Sequence, residues 1–156
     1  AITIISLNSD KEDLVTDLLA LAQEELSHFK MVHEIIKERG LKLGRERKDS
    51  YVNELFKFKM KGGNRQQSLI DRLLISAMIE ARSCERFKTL SENIKDEKLA
   101  KFYHDLMVCE AGHYTLFLGF ARKYGEGIDV EKQWKSLIEF EGEIIKKYGK
   151  QETIHG

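Results

Sequence analysis

No proline occurs in the 156 residues, and glycine is modest at 11. A β-sandwich of this length would draw on both residues for its turns, so the composition favours long helices. Only two cysteines are present, Cys84 and Cys109. They are too few for a disulfide framework and fit a reducing cytosol. No apolar run approaches the ~18 residues needed to cross a bilayer. The opening AITIISLNSD has neither the basic flank nor the cleavage site of a secretion signal. The expected location is therefore cytoplasmic, with no membrane partner. Formal net charge is zero, which leaves no global field to steer an acidic or basic ligand. Locally the balance tilts: from Lys37 to Arg65 there are ten Lys or Arg against four Asp or Glu.

The length suits one domain, residues 1–156, with a core of its own. Ser9 and Glu12 have the spacing of a capping box ahead of an amphipathic run from about Lys11 to Arg39, which Gly40 ends. GLKLGRERKDS reads as a basic loop, and YVNELFKFKM as a short helix ending at Gly62 and Gly63. Further helices are expected from about Arg65 to Asn93, from Glu97 to Tyr124 behind an Asp96 cap, and from Val130 to about Tyr148 behind Asp129. GEG closes the fourth of these runs, and the tail GKQETIHG frays. The β-branched AITIISLN is expected to be the end of another helix whose beginning is missing from the sequence.

The 3-4 spacing of the long helices draws three seams. They are Leu14, Leu18, Leu21, Glu25, His28, Val32, Ile35; then Leu69, Leu73, Ser76, Glu80, Ser83, Phe87, Leu90; then Leu99, Tyr103, Leu106, Glu110, His113, Phe117, Phe120, Tyr124. Each is apolar at both ends and polar near mid-helix. In an antiparallel bundle the interruptions would meet at one level. Converging carboxylates in an apolar core repel one another and cost several kcal/mol unless a partner neutralises them. A pair of divalent cations would do so. Glu25-x-x-His28 and Glu110-x-x-His113 each put an oxygen and a nitrogen one turn apart on one helix face. That is the pattern of di-iron and di-manganese carboxylate bundles, in which two helices give E-x-x-H and two give a lone Glu.

A single E-x-x-H is weak: with 18 glutamates and five histidines a chance match is expected, and Glu152 to His155 supplies one. Two pairs on apolar seams with Glu80 between them are a stronger signal. The competing account is a buried salt-bridge network without metal. Glu85, five residues past Glu80, points away from the seam and is expected to pair with Arg82 or Arg86. Glu24, Glu34, His33 and His104 are expected on the surface. Cys84 and Cys109 are expected to pack rather than ligate, since carboxylate-bound iron has no need of thiolate. Only one lone Glu is found, so a second is expected on the missing upstream helix. In the basic stretch, Lys42, Arg45, Arg47, Lys48, Lys57, Lys59, Lys61 and Arg65 are candidate phosphate contacts. Tyr51 and Phe58 are candidates to stack on a base. The competing reading is a solvated loop and a helix whose core face holds Leu55 and Phe58.

LALAQEELSHFKMVHEIIKERG, LLISAMIEARSCERFKTLSENI and KFYHDLMVCEAGHYTLFLGFARKY together resemble the tRNA 2-methylthio-N6-isopentenyladenosine hydroxylases, with IEARSCERF the most distinctive piece. The resemblance runs from about Leu14 to the tail. It implies a ferritin-like four-helix bundle carrying an additional short helix and a C-terminal helix, with the first helix largely missing. It implies a non-haem monooxygenase with two iron ions held by Glu25, His28, Glu80, Glu110 and His113, and O2 as co-substrate. The substrate would be the isopentenyl group of a modified adenosine beside the anticodon, and electrons would come from an external reductase. An apolar wall of Phe87, Leu106 and Phe117 would receive the prenyl group, and a monomer or dimer is expected. The alternative functions are a ferritin-like ferroxidase or iron-handling protein and a metal-free RNA-binding module.

Overall fold

A computed structural model of the chain describes residues 1–45, 49–59 and 63–148, and the regular structure among them is all helical. The elements are α1 (Ile2–Leu7), α2 (Glu12–Glu38), α3 (Ser50–Leu55) with a 3-10 turn at Phe56–Phe58, α4 (Arg65–Asn93), α5 (Glu97–Tyr124) and α6 (Val130–Tyr148). They group into two compact units, Ala1–Lys48 and Asp49–Gly156.

The first unit holds α1 and α2. AITIISLN is helical, as expected, and Asn8 closes it by donating from Nδ2 to the Ile4 carbonyl at 2.9 Å. The expected Ser9–Glu12 capping box does not form: Lys11 is the N-cap of α2, and no side chain caps there. The reason is the turn after α1. Lys11 N–H donates to the Asn8 carbonyl at 3.1 Å, which holds Ser9 two positions ahead of the cap, out of its geometry. Glu12 and Asp13 in the first turn complement the helix dipole instead. The other end follows expectation. Gly40 has φ +68, and Gly40 N–H bonds the Lys37 carbonyl while Leu41 N–H bonds that of Ile36. This is a Schellman close, which needs a left-handed residue and so selects glycine. Leu14, Leu18 and Leu21 are buried on the α2 seam, but Val32 is exposed, so burial along it fades beyond His28.

The second unit is built on the α4–α5 hairpin. Asn64 caps α4 by accepting from Gln67 N–H at 2.8 Å. Asp96 caps α5 by accepting from both Lys98 and Leu99 N–H at 3.1 Å. Asp129 accepts from Lys132 N–H at 3.0 Å and caps α6. A short connection between α4 and α5 makes them antiparallel, and two contacts fix their register. At one end the Phe87 and Tyr103 rings stack at 5.8 Å; at the other Gln66 Nε2 donates to the Tyr124 carbonyl at 3.0 Å. Leu69, Leu73, Leu106 and Phe117 fill the interior between. Gly125 makes the turn out of α5. A Cβ there would lie 2.3 Å from Val130 Cγ2 and 2.7 Å from the Ala121 carbonyl oxygen, and the backbone atom cannot move aside. Removing the double cap with Asp96→Ala should cost about 1 kcal/mol; the midpoint of urea unfolding followed by circular dichroism reads it.

The segment Ser50–Phe58 turns Tyr51 and Phe58 toward α6 and leaves the Phe56 ring exposed. Tyr51 and Leu55 are fully buried, and the Phe58 ring meets Phe140 at 5.6 Å. The expectation that Tyr51 stacks on a base is therefore wrong: its ring is core. Asp49, read as part of a loop, caps α3 by accepting from Val52 N–H at 3.0 Å. Lys42, Arg45, Lys57 and Arg65 are exposed, Lys59 is half-buried, and Lys57 pairs with Glu54. Arg47, Lys48, Lys61, Gly62, Glu152 and His155 lie outside the described residues.

Candidate metal centre

Within the second unit, α5 brings Glu110 and His113 into the core as its seam predicts. Both are buried, and His113 Nδ1 stands 3.5 Å from Glu110 Oε2. That spacing is longer than an N–H···O bond. It is close to the separation of two ligands that each sit ~2.1 Å from one ion. Carboxylate oxygen plus imidazole nitrogen is a donor set suited to iron or zinc, so these two residues fit a metal.

Glu80 is half-buried on α4. It lies seven residues before Phe87, and Glu110 lies seven residues after Tyr103, the ring on which Phe87 stacks. Equal steps of two turns in opposite directions carry Glu80 and Glu110 to the same level of the hairpin. Cys84, one turn beyond Glu80, reports the same proximity. Burial pushes its thiol pKa up, and the Glu110 charge raises it further. Neither Cys84 nor Cys109 is in a disulfide.

In the first unit, α2 carries the other pair. His28 is buried, Glu25 is half-buried, and His28 Nδ1 lies 3.6 Å from Glu25 Oε1. The two E-x-x-H segments thus have matching geometry, each with Nδ1 beside a carboxylate oxygen of the preceding turn. The rivals fall where expected: Glu24, Glu34 and His104 are exposed, though His33 is half-buried. Glu85 forms an ion pair with Arg82. Phe87, Leu106 and Phe117 are all buried.

One buried charge was missed. Glu141 on α6 is buried, and three donors converge on its Oε1: Tyr51 OH at 3.2 Å, Arg82 Nε at 2.9 Å and Arg82 Nη2. Burial of the Arg82 guanidinium works to lower its pKa, but the hydrogen bond and charge of Glu141, helped by Glu85, outweigh it and raise it. Burial, then the Glu141 charge, pushes the Tyr51 phenol well above its ordinary range. The signal was in the sequence: Leu137, Glu141 and Ile144 repeat the apolar–polar–apolar seam. A second buried polar group follows the same helices, with Gln67 Nε2 donating to Asp71 Oδ1 at 2.6 Å and to Gln133 Oε1 at 3.0 Å.

Comparison with known proteins adds the following. A family model described as tRNA-(MS2IO6A)-hydroxylase (MiaE) matches residues 1–156. A tRNA 2-(methylsulfanyl)-N(6)-isopentenyladenosine(37) hydroxylase of Pseudomonas putida is 33% identical over 155 residues, covering 99% of this chain and 74% of the relative. The enzyme of the same name from Salmonella typhimurium is 31% identical over 142 residues, covering 91% of this chain. The match spans only about half, 51%, of that relative's length. A solved structure from Synechococcus, a protein with aldehyde deformylating oxygenase activity, matches with a TM-score of 0.76 and 31% identity, over 88% of this chain and 67% of that one. The helical-bundle class expected from the seams is consistent with this match. No helix among the described residues is long and apolar enough to cross a membrane.

Proposed function

Because the chain belongs to the tRNA-(MS2IO6A)-hydroxylase (MiaE) family, we propose that it hydroxylates the isopentenyl group of 2-methylthio-N6-isopentenyladenosine beside the anticodon of tRNA, using O2 and two iron ions. The observation that carries the reading is the buried Glu110–His113 pair on the α5 seam, level with Glu80 on α4 and matched in geometry by Glu25–His28 on α2. Glu25, His28, Glu80, Glu110 and His113 are the proposed ligands. Iron bound there supplies the oxidising chemistry with O2, and two electrons come from an external reductase.

The rest falls to the chain's own side chains. Carboxylates and imidazoles on rigid helices hold their donor atoms at fixed spacing before any ion arrives. Buried apolar neighbours keep water out and strengthen each electrostatic interaction inside. Phe87, Leu106 and Phe117 are the side chains proposed to receive the prenyl group. The cations at Lys42, Arg45, Lys57 and Arg65 offer phosphate contacts, so tRNA affinity should fall with salt. The proposed setting is the cytoplasm, where charged tRNA is found. Iron storage is the weaker alternative, since it calls for a self-assembling shell and leaves the match to tRNA hydroxylases unexplained.

The deciding measurement is mass spectrometry of tRNA nucleosides from cells with and without the gene, with an alkyl aldehyde as control substrate for the purified protein. The hydroxylated nucleoside should vanish without the gene and return on complementation. Its persistence, or turnover of the aldehyde alone, would defeat the tRNA reading.

A further inference from the structure

A cleft of about 260 Å³ opens between α4, α5 and α6. One wall is aromatic: the Tyr114 and Trp134 rings stand 5.9 Å apart at 39° to one another. Met78 and Ile138 extend the apolar lining, and Ile138 is 47% exposed, so the wall is open to solvent. The far end is charged. Arg82, Glu85 and Glu141 line it, with one guanidinium shared between two carboxylates. That guanidinium gives three of its five N–H donors to two carboxylates, which together outweigh its charge. Its Nε and Nη2 go to Glu141 and its Nη1 goes to Glu85. The three groups together carry one net negative charge, and every hydrogen bond to Glu141 lands on a single oxygen, Oε1.

We propose that this cleft binds a small organic cation, an ammonium group on an aromatic or alkyl body. Tyr114 and Trp134 both line the cleft, and aromatic rings attract a cation and repel an anion over their faces. An excess carboxylate at the end supplies the counter-charge, and the thioether and aliphatic lining accept the apolar part. The volume falls just below the usual range of drug-sized ligand sites, which fits a free amine of about ten heavy atoms rather than a folded partner. A phosphate-bearing ligand is disfavoured, because its charge would face Glu85 and Glu141. The site uses none of the residues proposed to hold iron, so it stands or falls independently of that chemistry.

Trp134 is the chain's single tryptophan, so its fluorescence reports on this cleft alone. The full chain is titrated with 2-phenylethylamine, with isosteric 2-phenylethanol and with phenylacetate at constant ionic strength. The amine should give a saturable change, with at least about tenfold weaker binding of the alcohol and none of the acid. Two surface variants test the assignment without disturbing the core. Glu85→Gln should weaken the amine about threefold, in line with a partly solvated carboxylate. Ile138→Arg places a like charge at the mouth and should weaken it about tenfold or more. No saturation with the amine, equal binding of the alcohol or the acid, or unchanged affinity in both variants would overturn the proposal.

Discussion

Glu110→Gln is expected to abolish iron binding and tRNA hydroxylation while leaving helix content intact. The amide keeps the shape of the side chain and removes the anionic oxygen that sits 3.5 Å from His113 Nδ1 in a buried setting. A buried carboxylate is tolerated where a cation neutralises it and is costly where none does. The parent should gain stability with Fe(II), about 2.7 kcal/mol at a hundredfold excess over Kd, and the variant should gain none. Iron per chain, circular dichroism and melting with and without Fe(II) under anaerobic conditions check all three. An iron content equal to the parent's would show that the wrong carboxylate had been chosen.

Arg82→Met is expected to be strongly destabilising. It strips Glu141 of its counter-ion while the carboxylate, 7% exposed, keeps only the Tyr51 hydroxyl. Removing one partner of a buried pair costs about 3–5 kcal/mol, because the other charge remains without compensation. For a chain of this size that is a fall in Tm of about 10 °C. Glu85 also loses its partner, but it is exposed and contributes little. The double variant Arg82→Met, Glu141→Leu should recover most of the loss, since it removes the stranded charge and keeps the volume. Calorimetry of the single and double variants measures the coupling. A double variant no more stable than the single would mean that packing of the Arg82 stem, rather than charge, sets the cost.

The long helices were legible because their signals are local. Asp96 and Asp129 mark starts one residue ahead of α5 and α6, Gly40 marks a stop, and the 3-4 seams name which faces turn inward. Glu110 and His113 were legible for the same reason: a polar pair interrupting an apolar stripe has few explanations. The failures arise where the answer lies on another element. Ser9 has cap spacing, but the turn that follows α1 places it too early. Tyr51 and Phe58 stand among basic residues in sequence, yet α6 covers them both. Glu141 interrupts its seam as Glu110 does, and what separates the two is the partner. Opposite Glu141 stands an arginine; beside Glu110 stands a histidine. Spacing identifies a buried anion, and only the neighbouring helix says whether a protein cation answers it.

The lockstep between α4 and α5 restricts how these two helices can change length. Glu80 and Glu110 each stand a whole number of near-complete turns from the ring pair Phe87–Tyr103. One residue inserted between Glu80 and Phe87 would swing the carboxylate by ~100° and slide it by ~1.5 Å. Seven inserted on one helix would restore its facing but not its height, and only matched additions to both would restore both. Gain or loss of sequence is thus admissible in the connecting loops or as paired heptads, and every other length change dismantles the shared level.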